Sequence, residues 1–305
     1  MLIFATSDKG GTGRSVTSSN VVYRRALQGS SIAYLDFDFG SPTAGAIFHI
    51  GSAVRGVAEG GMHSYLRGDV PEPRRLDVWN ESDRESLRGR PDGAGQLVLY
   101  PGDIGGGEFP PNPEIIQRCV SLLLRIEEEF DIALLDLSAG RSHATDLVLA
   151  ATASPKLRAV KARWLVFHRW TRQHIIAAQG LVVGDNGIIQ TGVRRGHDQE
   201  ALANAIRYVR TAVVDPRSEQ LAGLRAEQVA WLHECNHELL KLAGGLQIGR
   251  TTLIGTVPLD PVLQWREQLI SDTDTITRQI ANQATVDSFE GIAKRLDDDD
   301  AWAGL

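Results

Sequence analysis

The nine residues Ser7–Ser15, SDKGGTGRS, carry the densest chemistry in the chain. Three glycines, Gly10, Gly11 and Gly13, let the backbone come close to a ligand. A turn of this kind opening a helix aims several N–H groups and the positive helix end at one spot, which suits a polyphosphate. The common phosphate loop reads G-x-x-x-x-G-K-S/T, its lysine reaching the β- and γ-phosphates and its hydroxyl binding Mg²⁺. Here the hydroxyl is Ser15 and the lysine position carries Arg14. A second cation, Lys9, stands at the start of the loop, where the common pattern has none.

The elements around the loop must position it. LIFAT before it reads as a buried strand, Val16–Leu27 is helix-compatible and stops at Gly29, and Ile32–Asp38 reads as the next strand. That strand ends in Asp36 and Asp38, two acids two residues apart and therefore on one face. A helix over Asn112–Phe130 leads into a further apolar run, Asp131–Asp136, which ends in an acid and is followed by LSAGRS. Thr252–Pro258 is one more apolar strand, with a proline at its C-terminal lip. Short strands alternating with helices predict an α/β fold, a mostly parallel sheet with helices on both faces and a ligand at the carboxyl ends of the strands.

Together these motifs resemble the ParA/MinD family of P-loop ATPases, of the SIMIBI type. Lys9 to Ser15 is similar to the deviant Walker A motif K-G-G-x-G-K-S/T, the Asp36–Asp38 pair to Walker A′, Asp136 to Walker B, and TLIGTVPLD to an I-G-x-x-P-x-D segment. The resemblance is dense in residues 1–43, 131–141 and 252–296, and it implies a single ATPase domain over 1–305 that takes ATP/ADP and Mg²⁺. It implies that Gly10, Gly11, Thr12, Gly13, Arg14, Ser15 and Val16 cradle the phosphates, with Ser15 on the metal, Asp36 supporting the metal shell and Asp136 holding Mg²⁺ through water. Asp38 would orient the attacking water, Ser41, Pro42 and Thr43 would begin switch I, Ser138, Ala139 and Gly140 would form switch II, and Pro258 and Leu259 would pack on adenine. Lys9 would reach the phosphates of a second subunit, in a homodimer that ATP closes and hydrolysis resets. A protein partner is expected, and non-specific DNA is a further option. Arg14 is the departure from the family pattern. Guanidinium pairs with phosphate bidentately but differs from lysine in reach, planarity and hydration, so a nucleotide-binding scaffold with weak or no hydrolysis stands beside the working ATPase.

Composition bounds the rest. With 305 residues and 42% hydrophobic content the chain can bury a sizeable core. It has no run of about 18 apolar residues, and its N-terminal apolar segment is too short for a signal peptide, so a cytoplasmic protein is expected. Cys119 and Cys235 show no metal or redox spacing. Residues 51–113, rich in Gly, Pro, Arg and Asp, read as an insertion or mobile region with one strand near Gln96–Gly102: either a solvated loop or a partner surface. Between 156 and 215, Trp164, His168, Trp170, Arg194, Arg195, Arg207 and Arg210 interleave aromatics with cations. Such mixtures bind nucleic acid, but the net charge of −6 and the strand-like RWLVFHRW favour a structural role. A C-terminal helix over 274–296 ends in the acidic tail 297–305, which should fray that helix and be repelled by anionic lipid, so no membrane association is expected.

One motif competes. His233, Glu234 and His237 match the HExxH zinc signature, with Glu267 as a distant third ligand for a metalloprotease. The same segment carries Val229, Leu232, Leu239, Leu240 and Leu242 at helical spacing, which predicts a helix lying over the sheet.

Overall fold

Residues 1–215 and 223–303 are described by a computed structural model, which leaves the last two positions of the acidic tail outside. In chain order the elements are β1 (Leu2–Thr6), α1 (Arg14–Leu27), β2 (Ile32–Phe37), α2 (Ala44–Ile47), α3 (Met62–Arg67), β3 (Leu76–Asp77), α4 (Val78–Glu81), β4 (Leu97–Tyr100), α5 (Pro113–Glu129) and β5 (Ile132–Leu137). The second half adds α6 (His143–Thr152), β6 (Ala162–Arg169), α7 (Arg172–Val183), α8 (Ile188–Arg195), α9 (Gln199–Asn204), β7 (Ile206–Val213), α10 (Ala226–Gly245), β8 (Leu253–Pro258), α11 (Pro261–Trp265) and α12 (Gln283–Arg295). The strands form one sheet in the order β3-β4-β2-β5-β1-β6-β7-β8, parallel throughout except that β3 runs antiparallel to β4.

Strand alternation divides the core into two layers. Leu2, Phe4, Ala33, Leu35, Phe37, Leu135 and Leu137 face α3, α5, α6 and α7. Ile3, Ala5, Ile32, Tyr34, Ile132 and Leu134 face α1, α2, α4 and α12. Both faces of the central strands are therefore covered, which is why they read as continuous apolar runs. Asn112 caps α5 by accepting from the Ile115 N–H at 2.9 Å, so the helix starts at the next residue, a proline at a position where a missing N–H costs nothing.

Residues 51–113 are threaded into the same sheet. They supply β3 and β4, and their Met62, Leu66, Leu76, Trp79, Leu87 and Leu99 are buried in the two layers. Buried Asp103 ties the stretch together by accepting from the backbone N–H of Ser64 at 3.1 Å.

Three expectations meet a different outcome. The helix predicted over 274–296 is broken: a π turn spans Thr273–Thr277 and α12 begins only at Gln283. The buried Asp274 side chain accepts from the Ser271 N–H at 2.8 Å and its Oγ at 2.9 Å, and such local bonding competes with helix. The acidic run is not the end of α12, which stops at Arg295; a 3₁₀ turn follows at Asp299–Trp302 and the tail is held by side chains. Asp297 pairs with Arg25, Asp299 with Lys161 and Arg163, and the Trp302 side chain, 7% exposed, lies under the Arg163 guanidinium with its Nε1 donating to the Arg295 carbonyl. Helix α10, finally, does not lie over the sheet along its length: among the described residues its apolar packing on the core runs through Leu239, Leu242 and Ala243 toward its C-terminal end, while Trp231 is 62% exposed.

Candidate functional site

At the carboxyl edge of the sheet, β1, β5 and β2 end side by side. Register places Ala5 opposite Asp136 and Asp136 opposite Asp36, so the loop after β1 lies against both acids. Gly11 and Gly13 adopt φ of 71° and 74°, a left-handed backbone that side-chain-bearing residues resist. No side chain caps α1, so the first-turn N–H groups of Arg14, Ser15 and Val16 open toward the loop. The rest of the loop is fixed from behind. Ser7 O accepts from Gly140 N at 2.7 Å, Thr12 O accepts from Thr211 Oγ1 at 2.5 Å, and the Arg141 guanidinium donates to Asp8 at 3.0 Å. The segment Ser138–Gly140 is thereby joined to the loop it follows in space, with Ser138 Oγ also accepting from Phe39 N. Such a cradle of backbone N–H groups at a helix start is suited to an anion.

Arg14, beside that cradle, is committed first to carboxylates. Its side chain, 6% exposed, turns down to the acids: Nε donates to Asp136 Oδ1 at 2.5 Å, Nη2 to Asp38 Oδ2 at 2.9 Å, and Nη2 lies 3.3 Å from Ser15 Oγ. The other Asp136 oxygen accepts from the Tyr34 hydroxyl at 2.9 Å, itself 3.1 Å from Ser18 Oγ. Asp36 accepts from the backbone N–H of Asp38 at 3.2 Å and of Ala44 at 3.1 Å, so it fastens to the strand end the turn that holds Ser41, Pro42 and Thr43. Burial and the neighbouring Asp136 charge hold the Asp36 carboxyl well above the usual range. Burial also raises Asp38, and Arg14 offsets only part of that. For Arg14 itself burial acts to lower the pKa, but Asp136 and Asp38 outweigh it and raise it.

The residues that the resemblance assigns to Mg²⁺ are therefore already engaged. Both oxygens of Asp136 have donors, both of Asp36 accept backbone N–H groups, and Ser15 Oγ stands beside a guanidinium. A polyphosphate fits the cradle; a divalent ion does not fit the carboxylates while Arg14 stays among them. Tyr34 was not singled out in the sequence, although it shares with Asp36 the strand face that period two assigns to both.

The loop's other cation behaves differently. Lys9 is exposed, and its ammonium makes no ion pair among the described residues. Beside the loop, Gly11, Gly13, Val16, Arg169, Thr211 and Pro258 line a cavity of about 160 Å³, of a size and place for one end of a nucleotide. Leu259 lies just past it, its N–H donating to the Val213 carbonyl at 2.9 Å. Glu267 lines this cavity and is not gathered with His233 and His237, which are exposed on α10. Among the described residues no three His, Cys, Asp or Glu side chains converge to hold a metal, so the zinc signature lacks its third ligand. The interleaved run is also absorbed by the fold: Trp164 is core, Arg210 lies over the Trp170 ring at 4.0 Å, Arg207 donates to tail carbonyls, and Arg195 pairs with Asp146. No helix among the described residues is long and apolar enough to cross a membrane.

No protein-family model matches the chain, and no curated protein matches it in sequence. Solved structures do. MinD in the MinC:MinD cell division complex of Aquifex aeolicus superposes with a TM-score of 0.58 at 16% identity, over 97% of this chain and 94% of that one. MinD of Pyrococcus horikoshii complexed with Mg-ADP gives 0.56 at 13%, over 100% and 99%, and a plasmid partition protein of Borrelia burgdorferi gives 0.55 at 13%, over 96% of each. The chain thus has the P-loop fold of the MinD and ParA ATPases.

Proposed function

We propose that the protein is a nucleotide-driven dimerising switch that binds ATP at the Ser7–Val16 loop. The observation that carries this reading is the division of labour between the loop's two cations. Arg14 is turned inward onto Asp136 and Asp38, whereas Lys9 projects from the same loop with no partner of its own among the described residues. An unpaired ammonium beside an anion cradle is placed to meet a second polyanion, and in a symmetric pair each Lys9 reaches the nucleotide of the other copy. The cavity along Pro258 takes the base, and Gly140, whose N–H holds the Ser7 carbonyl, couples the loop to the Asp136 strand.

Turnover is slow in this scheme. Asp38 is the acid that would orient a water, and Arg14 occupies one of its oxygens. The protein therefore holds its ATP-bound dimer for long periods and acts as a nucleotide-gated scaffold for a protein partner, as the fold-sharing MinD of Aquifex aeolicus is found in complex with MinC. Light scattering of purified protein tests this. Dimers that form with ATP, and are lost in Lys9→Ala while ATP affinity stays within a few-fold of wild type, support it. Protein that stays monomeric at saturating ATP overturns the switch, and protein with no ATP affinity overturns the nucleotide reading altogether.

A further inference from the structure

We propose that Arg14 is the resident cation of this site: its guanidinium joins the carboxylates to the nucleotide's phosphates in the place a divalent ion would take, so ATP binds without Mg²⁺. This rests on the nucleotide reading above.

Two donors of the guanidinium are committed to acids, Nε on Asp136 at 2.5 Å and one hydrogen of Nη2 on Asp38 at 2.9 Å. A guanidinium has five N–H donors in a rigid fork; with the second hydrogen of Nη2 donated to Ser15 Oγ at 3.3 Å, the two on Nη1 stay available. Ser15 stands in the first turn of α1, so this third bond holds the guanidinium beside that turn, where the cradle N–H groups open. Arg14 therefore bridges acid to phosphate without releasing either carboxylate. That bridge is what a metal ion supplies in a phosphate loop.

Arg14 also excludes the ion. Mg²⁺ demands near-octahedral oxygen ligands at about 2.0–2.1 Å. Asp136 meets Arg14 on one oxygen and the Tyr34 hydroxyl on the other, and its side chain is 1% exposed, so neither oxygen is presented to solvent, from which an ion would enter. A divalent ion entering beside a buried guanidinium would also face its charge at short range, in a setting where charges are poorly screened. A lysine in the same position concentrates its donors on one atom and would leave the acid oxygens free when it moved to a phosphate.

The test is a set of binding titrations of ATP to the full chain, in MgCl2 and in EDTA. For wild type the dissociation constant should differ by less than about fivefold between the two, whereas Arg14→Lys should gain fivefold or more from Mg²⁺. A wild-type affinity that falls fivefold or more in EDTA overturns the inference, whatever the variant does. A variant as indifferent to the ion as wild type overturns the role given to Arg14. Should Arg14→Lys not fold, Mn²⁺ titrated into ATP-saturated wild type and read by electron paramagnetic resonance decides the matter. Mn²⁺ held no tighter than by free ATP supports the proposal, and binding tighter by fivefold or more overturns it. Failure to bind ATP under every condition would instead sink the nucleotide reading, so the two failures are told apart.

Discussion

Arg14 and, on β6 and β7, Arg163, Arg207 and Arg210 are all buried, yet their surroundings make them different devices. Arg14 sits among Asp136, Asp38 and the raised Asp36, and its pKa is raised because the acids outweigh the cost of burial. Arg207 donates to the carbonyls of Asn204, Ala301 and Ala303, each at 3.0 Å, and Arg210 lies over the Trp170 ring and donates to the Ile248 carbonyl. Burial lowers the pKa of both, and Arg163 adds to the effect on Arg207. A guanidinium among carbonyls and rings is a strap, holding chain segments by dipoles that no ligand needs. A guanidinium among acids compensates charge, and any incoming anion or cation must renegotiate that balance. Partner chemistry separates the two kinds.

The sharpest way to break this comparison is Arg14→Met. If Arg14 balances the acid cluster, its removal leaves buried carboxylates uncompensated and should cost about 4 kcal/mol of folding stability. Adding MgCl2 should then raise the melting temperature of the variant and leave wild type unmoved, because the variant loses the guanidinium charge that repels the ion and frees an oxygen of both Asp136 and Asp38, and ligand binding to the native state stabilises it. A variant as stable as wild type and indifferent to MgCl2 would put Arg14 with the straps. Trp302→Ala probes the other side. Trp302 is buried beneath Arg163 and Arg207, with ring centroids 4.6 and 5.4 Å from their guanidinium carbons. Denaturant unfolding should show a loss of about 3 kcal/mol, as for truncation of a buried aromatic side chain. ATP affinity should not change, since the strap lies on the far strands.

How much of this was legible in the chain follows the same divide. The loop, the two acid-ended strands and their order were readable because each is local: glycines at fixed offsets, alternating apolar positions, an acid at a strand's end. What Arg14 does was not. Its partners lie 24 and 122 residues away, and nothing in SDKGGTGRS distinguishes an arginine aimed at phosphate from one aimed at carboxylate. The composition of 51–113 suggested loop because its strand signals are short, yet Trp79 and Leu99 find burial in layers that only the whole sheet creates. The tail misled through its four aspartates, whose charge argued for solvent, while Lys161 and Arg163 on and beside β6 stood ready to receive one of them. In α10 the apolar spacing was real, but periodicity reports a face without saying how much of it finds a partner.

The smallest expected effect sharpens the comparison most cleanly. Arg195 on α8 repeats the chemistry of Arg14, a guanidinium on a carboxylate, with Nε at 2.9 Å and Nη2 at 2.6 Å from the two oxygens of Asp146. Its geometry is the better fork, and yet both side chains are about a third exposed. Water solvates the separated charges nearly as well as they solvate each other, and ordering two long side chains offsets much of the remainder. Arg195→Ala should therefore cost less than about 1 kcal/mol, and the loss should shrink further in high salt. Burial, and not the pairing itself, then explains the large cost expected at Arg14. A cost at Arg195 matching that of Arg14→Met would show instead that arginine–carboxylate geometry alone sets the energy, and the distinction between the acid cluster and the surface pair would fall.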